Sequence, residues 1–197
     1  MNKKLEQLTS PQLGKLFPII LTKHNPDWSE DYRKEKIILE KALGKNQVVR
    51  IVHIGSTAVK HLISKPTIDI LLEVPVNADN QYIIEKIRSM EYHFLPQPDK
   101  PPPHMMFVKG YTEQGFKGQA FHIHVRYPGD WDEVYFRDYL RDHPEAAGQY
   151  AELKLKLAKK YRNDRDGYTE AKTDFIKRIS EIARKEKMQK DKNEEKN

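Results

Sequence analysis

Apolar positions divide the chain into a short helical lead, a centre that alternates strands with helices, and a helical C-terminal third. Residues 1–25 carry one short helix and the apolar patch Leu16, Phe17, Ile19, Ile20 and Leu21. Trp28, Tyr32, Ile38, Leu39 and Leu43 make a stripe at helical spacing, so residues 28–44 read as a helix capped by Ser29 or Asp27 and stopped by Gly44. Residues 48–55 (VVRIVHIG) and 67–74 (TIDILLEV) are dense in β-branched residues and read as strands. Tyr82, Ile83, Ile84 and Ile87 predict a helix over 79–90, followed by a short strand at 91–95. The run PQPDKPPP, 96–103, reads as an exposed loop, because proline lacks an amide donor and suits neither a helix interior nor a central strand.

HMMFVKG (104–110) and QAFHIHVRY (119–127) form the next pair of strands, antiparallel, with Gly110, Gly115 and Gly118 punctuating a long connection. Three helices follow: 131–143, with Asp130 as cap and Pro144 as stop, then 145 to about 161, then 168 to about 187. Residues 188–197 lack apolar periodicity and are expected to be a disordered tail. The order predicts an α+β fold: a small mixed or antiparallel sheet with packed helices, in one domain over residues 1–187 whose helical part starts near residue 130.

Composition narrows the classes. The 197 residues are 38% hydrophobic and 32% charged, enough for one core under a large solvated surface. No run approaches the roughly 20 apolar residues of a membrane span, and the polar N-terminus MNKKLEQLTSPQLGK offers no secretory signal. Cysteine is absent, which excludes disulfides and thiolate metal sites and fits a cytoplasmic protein. Net charge is +6, and the surplus is C-terminal: residues 151–197 hold 15 basic and 10 acidic residues. The interspersed acids favour a solvated helical face over a nucleic-acid surface, and neither a stacking platform nor a nucleic-acid motif accompanies them.

Period-two alternation assigns faces. Ile68, Ile70, Leu72 and Val74 share one side of the 67–74 strand, and Phe121, Ile123, Val125 and Tyr127 one side of the later strand. If those sides are buried in one sheet, the other face gathers Asp69, Glu73, His122, His124 and Arg126, carboxylates and imidazoles able to hold a divalent metal or move protons. For any one of them a plain solvated strand face is the simpler reading. The loop His53-Ile54-Gly55-Ser56-Thr57-Ala58 changes the odds, because glycine permits close backbone approach and the amides and hydroxyls after it can cradle a phosphate.

The segment HIGSTAVKHLISKPTIDILLEV resembles the GrpB family, whose members fold like nucleotidyltransferases of the DNA polymerase beta superfamily. The resemblance runs from about Pro26 to Ile179 and includes HNPDWSEDYRKEK, FHIHVRY, FRDYLRDHPEAAGQYAELKLKLA and YTEAKTDFI. It implies phosphate contacts from Gly55 and Ser56, with Thr57 beside them, and a first metal carboxylate at Asp69. The superfamily's second carboxylate is missing: Leu71 stands there, and Glu73 lies a further step along, ~6.6 Å from Asp69 by strand rise. Where a third acid is expected stand His122 and His124, a His-x-His that the family shares. Lys65, Arg126, Arg137 and Lys172 are the basic candidates for the rest of a phosphate site, the last two at family motif positions, though each also reads as a structural surface charge.

The resemblance implies a divalent metal, Mg²⁺ or Mn²⁺ or a softer ion given the imidazoles, and an NTP as substrate for nucleotidyl transfer to an unknown acceptor. In that reading Asp69, His122 and His124 are the catalytic and metal residues, with Glu73 as a further ligand. The alternative is a non-catalytic module for a nucleotide, a CoA-like ligand or a protein, since the family also occurs fused behind dephospho-CoA kinase as an accessory domain. No Gly-x4-Gly-Lys-Ser/Thr loop is present, so kinase activity itself is not expected.

Overall fold

The computed structural model of the protein describes residues 7–194. Five strands form one mixed sheet: β1 (Arg50–Ile54), β2 (Thr67–Glu73), β3 (His93–Pro96), β4 (Met105–Thr112) and β5 (Gly115–Arg126). Their order is β1-β2-β5-β4-β3, with β2 parallel to β5 and every other pair antiparallel. β2 is flanked on both sides, so it needs apolar residues on both faces: Ile68, Ile70 and Leu72 on one and Leu71 on the other are all fully buried. Proline at the end of β3 is tolerated because β3 is an edge strand.

Among the described residues seven α-helices surround this sheet: α1 (Ser10–Leu16), α2 (Asp27–Leu43), α3 (Asn80–Arg88), α4 (Asp132–Asp142), α5 (Pro144–Lys160), α6 (Arg165–Glu170) and α7 (Thr173–Glu194). α2 and α3 cover one face, where Trp28, Leu39, Ile83 and Ile87 meet Ile68, Ile70, Phe107 and Ile123. On the other side Phe136, Leu140, Tyr150 and Ile179 of α4, α5 and α7 pack on Val59 and Leu62. Phe17, just after α1, meets Val108, Tyr111 and Ala120 in a third cluster. Between the second and third clusters this face of the sheet stays open. Among the described residues no helix is long and apolar enough to cross a membrane.

The α+β architecture with its helical C-terminal third matches the pattern of the sequence, and several boundaries differ for physical reasons. β4 and β5 meet at a two-residue turn, Glu113-Gln114, so the expected long connection is strand, with Gly110 at a bulge. The last helix of the sequence pattern is two, because the chain breaks at Ala171-Lys172. Residues 188–194, expected as disordered tail, continue α7, while 195–197 lie outside the described residues. That stretch has no apolar stripe, but Lys187 and Asp191, and Lys190 and Glu194, stand four apart with opposite charge. Asp130 does not cap α4; Arg184 takes both Asp130 and Asp132 as partners instead. α2 begins at Asp27, whose amide donates to the Asn25 side chain (3.0 Å), so neither Ser29 nor Asp27 is its cap.

Candidate metal and phosphate site

The site begins where β1 ends. Gly55 has φ +71°, a conformation glycine adopts without strain, and a Cβ there would sit 2.4 Å from Asp69 Oδ2. Removing the side chain lets the corner close directly onto the carboxylate. Residues Ser56–Ala58 then make one 3-10 turn. Thr57, 1% exposed, anchors that turn: its hydroxyl donates to the Thr67 carbonyl (3.2 Å) and so accepts from His53 Nε2 (3.0 Å). Its hydroxyl is occupied internally and is not free for a phosphate. Burial, partly offset by Asp69, pushes the His53 imidazole down to about 4, so it is a neutral donor at ordinary pH.

Parallel register sets Asp69 of β2 opposite His122 of β5, and Leu71 opposite His124. Asp69 Oδ1 lies 3.2 Å from His122 Nδ1 and 3.5 Å from His124 Nε2. One ligand atom from each residue falls within 4.8 Å of the others, the spacing of a metal triad. Burial opposes ionisation of Asp69, but hydrogen bonds and charge from the two imidazoles outweigh it and hold the carboxyl well below the usual carboxylate range. Burial lowers the His122 pKa despite Asp69, favouring the neutral ring that a metal needs. The Tyr111 hydroxyl sits 2.7 Å from the other nitrogen, His122 Nε2. With Nδ1 turned to an ion, Nε2 carries the ring proton and Tyr111 oxygen accepts it, which fixes tautomer and orientation.

Cations line the same cavity, of about 1400 Å³. Lys154 of α5 is 2% exposed and donates to Ser56 Oγ (3.1 Å) and to the Ile63 carbonyl. Lys172 at the α6–α7 break lies 4.4 Å above the Tyr168 ring, and Lys65 approaches the same ring at 5.6 Å. Burial, with repulsion from Arg165 and Lys172, pushes Lys65 down to about 7, and burial, with repulsion from Lys172 and Lys65, does the same to Lys154; burial, with repulsion from Arg165 against attraction to Asp69, takes Lys172 to about 8. Arg165 of α6 donates to the Phe17 carbonyl (3.0 Å) and Tyr111 oxygen (3.3 Å). An anion among these groups would restore their charge.

The structure thus brings together Asp69, His122, His124, Gly55, Ser56, Lys65 and Lys172 and leaves four expected residues elsewhere. Thr57 is turned inward, as above. Glu73, 3% exposed, forms a bidentate pair with Arg50 (2.7 and 2.9 Å), because a buried carboxylate needs its partner, and it offers nothing to the triad. Arg126 is buried, donates to the Val125 carbonyl (2.8 Å) and lies over Trp131, where burial is relieved by the ring. Arg137 spans the His53 carbonyl and Asp138 (2.8 Å each), supporting the corner from behind. Lys154, Arg165 and Tyr111 were not singled out by the sequence. Lys154 left one sign: it falls four residues after Tyr150 and eight after Ala146, on the buried stripe of α5.

The donor set argues for one ion of a particular kind. Two imidazoles and a single carboxylate suit Mn²⁺, Fe²⁺ or Zn²⁺ better than Mg²⁺, and among the described residues no second carboxylate groups with the triad, Leu71 being apolar and Glu73 paired with Arg50. Residues 18–181 match the family described as GrpB protein. The chain belongs to the GrpB family. The GrpB protein of Alkalihalophilus pseudofirmus is 35% identical over 82% of this chain and 93% of its own. UPF0157 protein PA4798 of Pseudomonas aeruginosa is 37% identical over 79% of this chain, which spans only 63% of that relative's length. The crystal structure of GrpB from Enterococcus faecalis aligns over 86% of this chain and 99% of that one, with a TM-score of 0.71 and 29% identity. The Cid1 poly(U) polymerase is a distant likeness, with a TM-score of 0.47 and 14% identity over 70% of this chain and 43% of that one, and it carries no weight for activity.

Proposed function

We propose that this GrpB chain holds one divalent metal on Asp69, His122 and His124 and, beside it, the phosphates of a nucleotide or another phosphate-bearing ligand. The observation that carries the reading is the triad, its ligand atoms within 4.8 Å, in a cavity that also holds the amines of Lys65, Lys154 and Lys172. A bound ion there offsets phosphate charge and polarises the phosphorus–oxygen bond. The chain's own part is positional. Gly55 lets the backbone approach, Ser56 and Lys154 face the phosphate together, and Arg165 ties Tyr111 and hence His122 to the cationic wall.

The finer reading is transfer of a nucleotidyl group from an NTP to a hydroxyl acceptor. The acceptor oxygen bonds to the α-phosphorus, its proton goes to solvent, and the bond to pyrophosphate breaks. Calorimetric titration with ATP, with and without Mn²⁺, tests binding: affinity that needs Mn²⁺ and disappears in Asp69→Ala supports it. No binding to the wild type, or unchanged binding in Asp69→Ala, overturns it. Pyrophosphate release then decides turnover. Leu71 in place of a second carboxylate favours a module that binds its nucleotide or CoA-like ligand without turnover, like the accessory domain of the fused relatives. Binding without pyrophosphate release, together with capture of dephospho-CoA kinase in a pull-down, selects that reading.

A further inference from the structure

The face that carries the triad does not end at the histidines. Register continues it across the sheet: Val108 pairs with His122 and Met106 with His124 on β4, then His93 and Leu95 pair with these on edge strand β3. Met106 is half-buried and Leu95 is 39% exposed, while the opposite face at the same strands, Phe107 and Met105, is buried under the core. Leu13 of α1 stands across from them, half-buried, in the wall of the same cavity.

The sheet order separates two chemistries on either side of the triad. Ser56, after β1, and Lys65, leading into β2, approach from one side of β5. The Met106 and Leu95 strip lies on the other, beyond β5, with His93 but no Asp, Glu, Lys or Arg of β4 or β3 on that face. The single cavity of about 1400 Å³ spanning both exceeds the ~300–1,000 Å³ typical of drug-sized ligands and is far larger than a phosphate group needs. A cationic end cannot account for the apolar remainder, and a half-buried methionine and an exposed leucine beside a polar site gain by being covered.

We propose that the strip formed by Met106, Leu95 and Leu13 receives the apolar or aromatic group of a phosphate ester whose phosphate lies on the lysine side of the metal. This rests on the phosphate reading above and adds the class of ligand: not inorganic phosphate or polyphosphate alone, but a phosphate carrying an uncharged hydrophobic body. Its planar form is a ring such as a nucleobase, and its aliphatic form an alkyl or acyl stem.

Calorimetric titration of the Mn²⁺-loaded full chain with inorganic phosphate, phenyl phosphate and n-butyl phosphate tests it. The wild type is expected to bind at least one ester about tenfold more tightly than inorganic phosphate, the gain from covering one apolar group. Leu95→Asn and Met106→Gln, neutral so that the cationic end is undisturbed, should bring that ratio towards one and leave inorganic phosphate within about twofold. Met106→Leu should keep the ratio. Preference for phenyl over butyl marks a planar group, and parity or the reverse an aliphatic one. A wild-type ratio near one, or a ratio that survives Leu95→Asn combined with Met106→Gln, overturns the strip while the phosphate reading stands. If none of the three ligands binds the wild type, the phosphate reading has failed and the strip falls with it. Leu95 sits on an edge strand and is exposed, so Leu95→Asn should remain folded; where the double variant misfolds, a ratio unchanged by Leu95→Asn overturns the strip.

Discussion

Tyr111 shows how much of the site depends on a residue that would never touch the ligand. Its hydroxyl meets His122 Nε2 at 2.7 Å and takes a hydrogen bond from Arg165 (3.3 Å). Tyr111→Phe should weaken Mn²⁺ binding by about 10–100-fold, the usual effect of losing a partner behind a ligand histidine, with little loss of thermal stability. The lysines make a second residue-scale expectation. Lys65 and Lys154 near 7 and Lys172 near 8 carry their charge below those values and lose it above them, so anion affinity must fall as pH rises from 7 to 9. Sulfate, whose own charge is constant over that range, isolates the effect: roughly tenfold weaker binding for each amine neutralised, measured by competition. An affinity flat from pH 6 to 9 would show that the three amines do not contact the anion. Glu73→Gln supplies the contrast. It breaks a pair buried on the carboxylate side, so it should destabilise by roughly 1–3 kcal/mol in urea melts and leave Mn²⁺ affinity unchanged.

At the scale of elements, the corner between β1 and β2 is where backbone shape becomes chemistry. Gly55→Ala forces a side chain to φ +71° and onto Asp69 Oδ2, so it should lower stability by about 1–3 kcal/mol and weaken the metal site together. Loss of one without the other would separate the corner from the triad. This corner, β2 and the His-x-His strand were all readable in the sequence, because glycine after a β-branched run and strict alternation are local signals. What alternation could not supply was partners. It put Glu73 and Arg126 on the same face as Asp69, and so they are, but Arg50 had already claimed the one and Trp131 the other. Lys154 escaped for the opposite reason. A lysine in the helix AELKLKLAKK looks like solvent-facing charge until Tyr150 and Ala146, on the same stripe, are seen to be buried. The helical stretch 188–194 was missed because charge pairs along a helix leave no hydrophobic period to detect.

For the molecule as a whole, acid should be the weak side. His53 is 7% exposed and its folded value of about 4 lies below the ordinary imidazole value of 6.5. As pH falls below about 6.5 the unfolded chain gains that proton before the folded one does, so the contribution of His53 is full above 6.5 and declines towards pH 4 by up to roughly 3 kcal/mol. His53→Gln keeps a donor for Thr57 and should flatten this slope in denaturant melts at pH 7, 5.5 and 4.5. The parallel pairing of β2 with β5 has a consequence of its own. Asp69 and His122 are distant in the chain and become neighbours only after α3, β3 and β4 have carried the backbone over and back. A slip of one residue in that pairing would aim both imidazoles at the α2 layer. If manganese binds the triad as proposed, it recognises completed topology: saturating ion, at about 100 times its dissociation constant, should add roughly 2.7 kcal/mol to the native state alone, making uptake a gauge of how many chains in a preparation have finished folding.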